Sequence, residues 1–532
     1  MLRWWFQVWQ VNCTDFEFAL PSPRHYPSLP ERITNLQSRS TTHKQVVIIG
    51  GGPAGLTAAL ELSKQNVPAV VLEADKQVGG IARTVNYKGY LFDIGGHRFF
   101  TKWEEVNRIW HEILGDKFLT RPRMSRIYYR KKFFLYPLVA KNALLGLGAV
   151  ETIRILASYL RSWISPSRKE ENFEQWVSNR FGKRLYEIFF KTYTEKVWGV
   201  PCTSISADWA AQRIRGLSLL TAIRNALLPS KQPKAKTLID EFQYPERGPG
   251  QMWETLAVQL AHAGYPVLME RPVVRIHHSG DKVTYLVTRG KDGEESFVGT
   301  DFISSMPIRE LINALEPQPP QAILEAANRL RYRDFLIVSL IVNRKNVTPD
   351  NWIYVHEPGV KVGRIQNFKN WSAAMVPDPN KTCLGMEYFV FQNDELWSSS
   401  DEQLLELARR EIAQLGLVRR EEIEDGIVVR IKKAYPMYDA GWDAQVKIIR
   451  EYLDSHLTNL QMVGRNGMHK YNNQDHSMIT AICAVRNILG ANHDLWAINT
   501  EPDYHEEHQK EPAGGFVARP AYAEPTRVIE TA

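Results

Sequence analysis

The sequence predicts an α/β fold built on a Rossmann-like dinucleotide-binding domain whose pieces are separated along the chain. First, a buried β run at Val46–Ile49 leads through a Gly-rich turn and an Ala/Leu-rich helix to a second β run at Ala69–Leu72. Second, "DFISSMP" at residues 301–307 has the pattern of another strand of the same sheet. Third, residues 459–489 have the pattern of a strand, a Gly-rich loop and a long helix. Because long segments separate these pieces, we expect other domains to be inserted between them.

The 532 residues divide by pattern into five kinds of region. Residues 102–231 contain several amphipathic helical patterns, whereas strand patterns such as "FLIVSLIVN" and "CLGMEYFVF" come later. Both ends have the composition of loosely ordered chain. We therefore expect a disordered N-terminal extension at 1–43, the dinucleotide-binding domain at 44–101, 245–311 and 456–498, an inserted helical substrate-pocket domain at 102–244, a mixed α/β substrate domain at 312–455, and a disordered tail at 499–532.

Charge and cysteine content narrow the range of functions. Lys and Arg number 66 and Asp and Glu number 59, which gives a net charge of +7. This excess suits an anionic ligand, but the basic residues are scattered, so no nucleic-acid partner is predicted. The four cysteines form no CxxC pair, so we expect neither a disulfide framework nor a metal site. Such cysteine usage fits a reducing compartment, and we expect a cytoplasmic protein.

The apolar segments are too short to predict a transmembrane helix. A membrane-spanning helix needs about 18 or more consecutive apolar residues, and the chain contains no such run. The amphipathic segment "NALLGLGAVETIRILASYLRSWI", at residues 142–164, can lie on a membrane surface. Packing against neighbouring helices is the favoured interpretation, and peripheral membrane contact stays open as the alternative.

The turn after the first predicted strand carries a dinucleotide-binding pattern. In "GGGPAG", Gly50, Gly52 and Gly55 have the GxGxxG spacing. The first glycine permits a tight turn, the second lets the backbone approach a pyrophosphate, and the third allows the helix to pack closely on the strand. Glu73 follows the second strand, where a carboxylate accepts hydrogen bonds from a ribose. The pattern therefore predicts a bound dinucleotide.

A glycine doublet after Glu73 resembles the large FAD-binding group that includes the amine oxidases. Gly79 and Gly80 come six residues after Glu73, in "GGIARTV". The resemblance implies FAD rather than NAD, with the doublet close to the cofactor and Arg83 near the phosphates or the flavin. "RPVVRI" is similar to the segment whose backbone meets the adenine, which nominates Val274.

Two further stretches resemble the UDP-galactopyranose mutases. "FDIGGHRFF" is similar to the mutase loop beside the flavin ring, and His97 matches its histidine. "YEIFFKTYTEKVWGVP" is similar to the segment in which a Tyr and, five residues on, a Trp line the substrate pocket. Tyr193 and Trp198 take those positions. Arg213 lies within one residue of the position where the family has an arginine near the substrate.

Late segments continue the resemblance, which covers about residues 45–489. "VGRIQNF" is similar to the stretch with a second diphosphate-facing arginine, here Arg364. "AYPMY" and "GRNGMHKYNNQDHSM" nominate Tyr435 and Tyr471 to hold the two phosphates, and Arg465 and Asp475 to hold the flavin end of FAD. The chain departs from the family by its longer ends and by mixing bacterial-like with eukaryotic-like segments, which predicts a divergent branch.

Each of these side chains also has an ordinary structural interpretation. Arg213 and Arg364 can be salt-bridge partners, Tyr435 and Tyr471 can be buried rings, and His97 can bond a loop backbone. What favours a pocket is that two arginines, two tyrosines and a Tyr/Trp pair all match positions that a UDP-sugar requires.

Trp198 is predicted to meet the uracil base. It lies about 140° round an ideal helix from Tyr193, so the two rings should not share a face. Gly199 and Pro201 then end the helix. We therefore expect the Trp198 ring to be presented to a base rather than to the core. Replacement of Trp198 by alanine should accordingly weaken UDP binding more than folding.

The mutase resemblance implies an isomerase that contracts the ring of UDP-galactopyranose to UDP-galactofuranose. Reduced FAD would provide N5 as the nucleophile, no net electrons would move, and a reductant such as NAD(P)H or a reductase would keep the flavin reduced. His97, Arg213 and Arg364 would act at the reacting centre. The alternative is an FAD-dependent oxidoreductase of the amine oxidase, protoporphyrinogen oxidase or desaturase type, whose pocket would be apolar.

Overall fold

The computed structural model describes residues 44–136, 138–207 and 241–499. The predicted extension at 1–43, the tail after Asn499 and the candidate residue Arg213 lie outside these ranges. The observed architecture is a five-stranded parallel sheet covered by helices, together with a four-stranded and a seven-stranded mixed sheet, and the predicted fold class is confirmed.

The parallel sheet contains the predicted βαβ unit and the later strand and helix. The strands Asp301–Ser304 and Ala69–Leu72 belong to the same sheet as Val46–Ile49, as their patterns predict, and they pair with it on either side. Its four residues are buried, as expected of a parallel strand covered on both faces. The strands run in the spatial order Leu460–Met462, Asp301–Ser304, Val46–Ile49, Ala69–Leu72 and Val267–Leu268.

A second sheet has four strands, all from residues 273–316. The sequence "KDGE" at residues 291–294 is typical of a hairpin turn, and Gly290 pairs with Gly293 across a turn at Lys291 and Asp292. The strands run in the order Gly293–Val298, Lys282–Gly290, Val273–Ser279 and Leu315–Glu316.

The largest sheet has seven strands and is mixed. All its pairings are antiparallel except that between Ser125–Tyr129 and Trp352–Val355. The strands run in the order Ile423–Pro436, Tyr332–Val342, Thr382–Val390, Arg364–Asn367, Trp352–Val355, Ser125–Tyr129 and Lys132–Leu135. Two small pairs complete the β structure, Thr84–Tyr87 with Tyr90–Asp93 and Phe118–Pro122 with Glu241–Pro245.

Helices fill the connections between these strands. One short π-helical stretch, Glu187–Lys191, interrupts the helical run before Trp198. The described α-helices are Pro53–Lys64, Glu104–Leu114, Ala140–Leu147, Ala149–Ile164, Phe173–Phe181, Lys183–Tyr186, Thr192–Trp198, Gly250–His262, Ile308–Asn313, Gln321–Arg329, Phe368–Trp371, Glu395–Ser398, Asp401–Gln414, Trp442–His456, Gly464–Gly467 and Gln474–Ile488. Within the described ranges, none of these is both long and apolar enough to cross a membrane.

The structure differs from the predicted regions in two places. Residues 102–244, expected to be helical, contribute the strands Ser125–Tyr129 and Lys132–Leu135 to the seven-stranded sheet. The helices Gln321–Arg329 and Trp442–His456 lie within the predicted substrate domain at residues 312–455. Their apolar faces instead join the core that contains the parallel sheet. Long-range packing decides which sheet these strands join and which core these helices join. The local periodicity of the sequence does not reveal such packing.

Candidate functional site

The Gly-rich turn after Val46–Ile49 is as tight as the spacing predicts. Gly50 has φ +100°, and a Cβ there would overlap the Ser305 hydroxyl. A Cβ on Gly55 would overlap the carbonyl oxygen of Gly50, so the helix can pack this close to the turn only because Gly55 has no side chain. The helix Pro53–Lys64 starts here with proline in its first turn.

Glu73 closes the turn from the neighbouring strand. Its carboxylate accepts the Gly51 N–H at 2.6 Å and the Asp75 N–H at 2.8 Å, and burial raises its pKa. Arg83 forms an ion pair with Asp75, with Nη1 2.7 Å from Oδ2. The predicted role of Arg83 at the phosphates or flavin stays a prediction.

The second glycine doublet meets the first turn. Gly79 and Gly80 have φ +98° and +55°, and the Gly79 N–H donates to the Gly51 carbonyl at 2.9 Å. A Cβ on Gly52 would lie 3.9 Å from the Gly80 backbone. The two glycine turns therefore form one backbone cradle.

Later segments reach the same cradle. The Arg271 N–H donates to the Glu73 carbonyl at 2.8 Å, and Val274 lies at a β-bulge three residues on. A Cβ on Gly464 would lie 3.2 Å from the Ala54 Cβ. Asp475, 1% exposed, lies in the first turn of Gln474–Ile488 and accepts the His476 N–H at 2.8 Å.

This cradle fits a dinucleotide cofactor. The first N–H groups of the helix Pro53–Lys64 have no partner within the helix, and the glycines leave their backbone open to a pyrophosphate. Glu73 adds a buried carboxylate, and its predicted role as a ribose acceptor stays a prediction. FAD would be held here by the two glycine turns and by Glu73.

An ion pair between the half-buried Arg364 and the fully buried Glu387 forms a second centre, in the seven-stranded sheet. Arg364 and Glu387 are directly opposite each other on adjacent strands, and Arg364 Nε donates to Glu387 Oε2 at 2.5 Å. Gln366 Nε2 donates to the other carboxylate oxygen at 2.8 Å. Burial raises the pKa of Glu387. Burial disfavours the Arg364 cation, but Glu387 and the neighbouring tyrosines together outweigh burial and raise the pKa of Arg364. The arrangement fixes a permanent cation inside the protein.

Aromatic rings surround this cation. Tyr193, Tyr354 and Tyr435 all interact electrostatically with Arg364. The Tyr193 ring stacks on His356 at 5.0 Å between centroids and meets Tyr354 edge-on at 5.3 Å. Burial raises the pKa of Tyr193, so its hydroxyl remains a hydrogen-bond donor at neutral pH.

Tyr435 and Tyr471 pair beside a second arginine. Their rings stack with centroids 5.7 Å apart, and the Arg465 guanidinium lies 4.7 Å from the Tyr471 centroid. Arg465 also donates to the carbonyl oxygens of Asn472 and Ala434, at 2.8 and 3.2 Å. These bonds fix Arg465 in place.

His97 interacts electrostatically with both arginines. Burial, together with the charges of Arg465 and Arg364, lowers the pKa of His97 to about 3. Its Nδ1 is buried and has no hydrogen-bond partner among the residues that the structure describes. A neutral imidazole with an unsatisfied nitrogen is thus available to a ligand.

The structure brings most of the predicted pocket residues together. His97, Tyr193, Arg364, Tyr435 and Arg465 interact as described above, and Tyr471 stacks on Tyr435. Their predicted roles toward a substrate or cofactor stay predictions. Among the described residues, no group of three or more His, Cys, Asp or Glu side chains is arranged to hold a metal ion.

The prediction that Trp198 stays out of the core is wrong. Its ring is 8% exposed and belongs to an apolar cluster with Phe189 and Cys202. Phe189 and Trp198 are nine residues apart and would point about 180° apart on a continuous α-helix. The π-helical stretch Glu187–Lys191 accommodates an extra residue, which rotates the following turn toward that cluster.

Trp198→Ala should therefore lower the free energy of unfolding by about 3–5 kcal/mol, since it removes a large buried ring. Trp163→Ala is the matched control: that ring is 68% exposed, and we expect a change within about 0.5 kcal/mol. Urea unfolding of the flavin-loaded variants measures both. Equal, small effects would contradict the burial of Trp198.

Sequence reasoning missed Glu387, Gln366, Tyr354 and His356. Glu387 had a signal, because it is a lone carboxylate in the otherwise apolar strand "TCLGMEYFV". A buried charge requires a partner, and Arg364 was a candidate. Tyr354 lies in a strand and His356 directly follows it. No sequence motif marks either residue as functional.

Comparison with known proteins gives the family. The model of the family described as "Flavin containing amine oxidoreductase" matches residues 53–442, more than half of the chain. The 1-hydroxycarotenoid 3,4-desaturase of Flavobacterium sp. (strain P99-3) is 22% identical over 263 residues, which are 46% of this chain and 54% of that protein. The dTDP-fucopyranose mutase of Escherichia coli is 26% identical over 174 residues, 31% and 44% of the two chains. The chain thus spans about half the length of the curated relatives it matches.

Solved structures share the fold over a greater length. Reduced UDP-galactopyranose mutase superposes with a TM-score of 0.74 at 22% identity, covering 87% of this chain and 99% of that one. A protoporphyrinogen oxidase homologue from Exiguobacterium sp. 255-15 gives a TM-score of 0.64 at 18% identity, covering 84% and 99%. With the family match over residues 53–442, the chain belongs to the flavin containing amine oxidoreductase family, which implies FAD as its cofactor.

Proposed function

We propose that this protein is an FAD-dependent nucleotide-sugar mutase of the UDP-galactopyranose to UDP-galactofuranose type. One observation carries the proposal: a half-buried arginine, Arg364, is paired with the fully buried Glu387 and interacts electrostatically with several tyrosines. A pocket for an apolar substrate does not need a fixed cation, whereas a diphosphate does.

The side chains suit a substrate with two phosphates. Arg364 supplies planar donors, and its Nη2 lies 3.7 Å from the Cβ position of Gly95, near the turn that carries His97. Tyr435 and Tyr471 supply hydroxyl donors at low entropy cost because their rings are already stacked. Tyr193 borders the same cation. The diphosphate would be oriented by these groups before any bond breaks.

When bound and reduced, the flavin supplies the nucleophile, so no side-chain nucleophile is required. Arg364 stabilises the negative charge that develops on the departing diphosphate, and Glu387 keeps it oriented. His97 stays neutral at physiological pH and offers Nδ1 as a hydrogen-bonding group near Arg364 and Arg465. A donor such as NAD(P)H or a reductase would keep the flavin reduced.

An FAD-dependent oxidoreductase is the second candidate. The match to a carotenoid desaturase and the fold of the protoporphyrinogen oxidase homologue favour it. In that case the Arg364–Glu387 pair would be a neutralised structural element of the sheet.

The assay compares reduced and oxidised protein. Flavin-loaded protein is reduced with dithionite under anaerobic conditions and supplied with UDP-galactofuranose, and in parallel with dTDP-fucofuranose. We expect many turnovers to the pyranose form of at least one sugar with the reduced protein and none with the oxidised control. No conversion of either sugar would contradict the proposal, and oxygen consumption with an amine or a porphyrinogen would then favour the oxidoreductase.

A further inference from the structure

The helix Ala149–Ile164 exposes most of its large apolar side chains to solvent. Ile153 is 66% exposed and Trp163 is 68% exposed. The exposed apolar residues repeat at helical spacing, so they form one stripe along the helix. They are Val150, Ile153, Leu156, Leu160, Trp163 and Ile164.

The opposite face of this helix is anchored by polar groups. Glu151 is 8% exposed and accepts a hydrogen bond from Arg184 Nε. The Arg184 backbone N–H donates to the Ser158 hydroxyl at 3.0 Å, and Ile155 fills the space between. This is the reverse of an ordinary surface helix, whose apolar stripe faces the core. The polar anchors hold the apolar stripe toward the exterior.

Neighbouring elements extend the apolar surface. The helix Ala140–Leu147 packs on both Ala149–Ile164 and the strand Lys132–Leu135. Among the described residues, 14 large apolar side chains are exposed, and ten of these lie within residues 135–164. Singly scattered apolar residues need no explanation, but one contiguous group marks an interaction surface. We call the ten exposed apolar side chains within residues 135–164 the apolar face.

The segment that contains the apolar face is strongly basic. Residues 130–169 contain eight Lys and Arg and one acidic residue, a difference of +7 that equals the net charge of the whole chain. The acidic residue is Glu151, which is buried. The exposed cations that flank the face are Arg130, Lys131, Lys132, Arg154, Arg161, Arg168 and Lys169.

We propose that the apolar face docks on an anionic lipid bilayer. Aliphatic side chains and Trp163 would enter the boundary between headgroups and acyl chains, and the flanking cations would bind the lipid phosphates. A second copy of this chain would bring the same positive charge to the contact and be repelled. The helix of 16 residues, about 24 Å long, lies along the surface in this arrangement.

The apolar face also reaches the candidate site. Tyr136, at its edge, packs against Tyr354 with ring centroids 4.6 Å apart, and Tyr354 meets Tyr193. Docking would therefore place this side of the Arg364 pocket beside the bilayer. The docking itself rests on the exposed stripe and its charge and does not depend on which reaction the site catalyses.

Full-length, flavin-loaded protein tests the proposal by co-sedimentation with vesicles. Vesicles of phosphatidylcholine and phosphatidylglycerol at about 2:1 should bind it at least about tenfold more tightly than phosphatidylcholine alone, and high salt should weaken binding. The variant Ile153→Ser/Leu160→Ser/Trp163→Ser should lose this binding. The control Val258→Ser/Val298→Ser, at exposed apolar residues elsewhere, should keep it.

Two outcomes would overturn the proposal. One is a monomer that binds neither kind of vesicle. The other is a dimer in sedimentation velocity that the triple variant dissociates, with no vesicle binding, which would assign the face to a second copy. Turnover in buffer should be the same for the triple variant and the wild type, so loss of docking and failure of the proposed reaction are distinguishable.

Discussion

Replacing Arg364 by methionine is expected to lower UDP affinity at least about 100-fold, equivalent to about 2.7 kcal/mol. It should also lower the free energy of unfolding by about 3–5 kcal/mol, because Glu387 would remain buried without its cation. Glu387 is fully buried, and among the described residues the only other hydrogen bond to its carboxylate comes from Gln366. The single variant alone cannot separate binding from stability.

The double variant Arg364→Met/Glu387→Met separates them. It removes both charges and leaves two flexible apolar side chains, so most of the lost stability should return. UDP affinity should stay as low as in the single variant, because the donors for the diphosphate are still missing. Calorimetric titration with UDP and urea unfolding measure the two properties on flavin-loaded protein. If UDP binding recovered together with stability, Arg364 would be a structural residue of the sheet only.

Short-range features of the fold were predictable from sequence. The boundaries of Val46–Ile49 and Ala69–Leu72 agree with the strands observed, because a buried β run and a Gly-rich turn are local signals. Glu73 was predicted to follow the second strand and accept hydrogen bonds from a ribose. The structure shows its carboxylate accepting the Gly51 N–H of the turn, and its role toward a ribose stays a prediction. The residue types and their spacing along the sequence from the Gly-rich turn were enough to predict these short-range features.

Features that depend on distant pairings were not predictable. Arg364 and Glu387 meet because two strands adopt one particular register, and a shift of one residue would place them on opposite faces of the sheet. The burial of Trp198 depends on the π-helical stretch before it, which the helical periodicity of "FFKTYTEKVWG" does not reveal. The outward-facing stripe on Ala149–Ile164 depends on the Glu151–Arg184 bond to a separate helix.

Two glycines of the first turn should respond differently to alanine. Gly52 has φ −82° and ψ −172°, which any residue adopts, and a Cβ there would make only ordinary contact with Gly80. We expect Gly52→Ala to fold with wild-type stability but to lower FAD affinity at least about tenfold, or about 1.4 kcal/mol. The added methyl group would stand where the backbone approaches the pyrophosphate.

Gly55→Ala should impair both folding and flavin binding. Its Cβ would overlap the Gly50 carbonyl oxygen, so the helix Pro53–Lys64 must move away from its strand, at a cost of about 1–3 kcal/mol. The ratio of flavin to protein absorbance and urea unfolding of each variant after removal of flavin give the two readouts. Gly52→Ala protein with full flavin content would contradict a pyrophosphate at this turn, whereas a stable Gly55→Ala protein would contradict the close contact between helix and turn. We thus expect that cofactor binding requires a glycine at position 52 and that the packing of the fold requires a glycine at position 55.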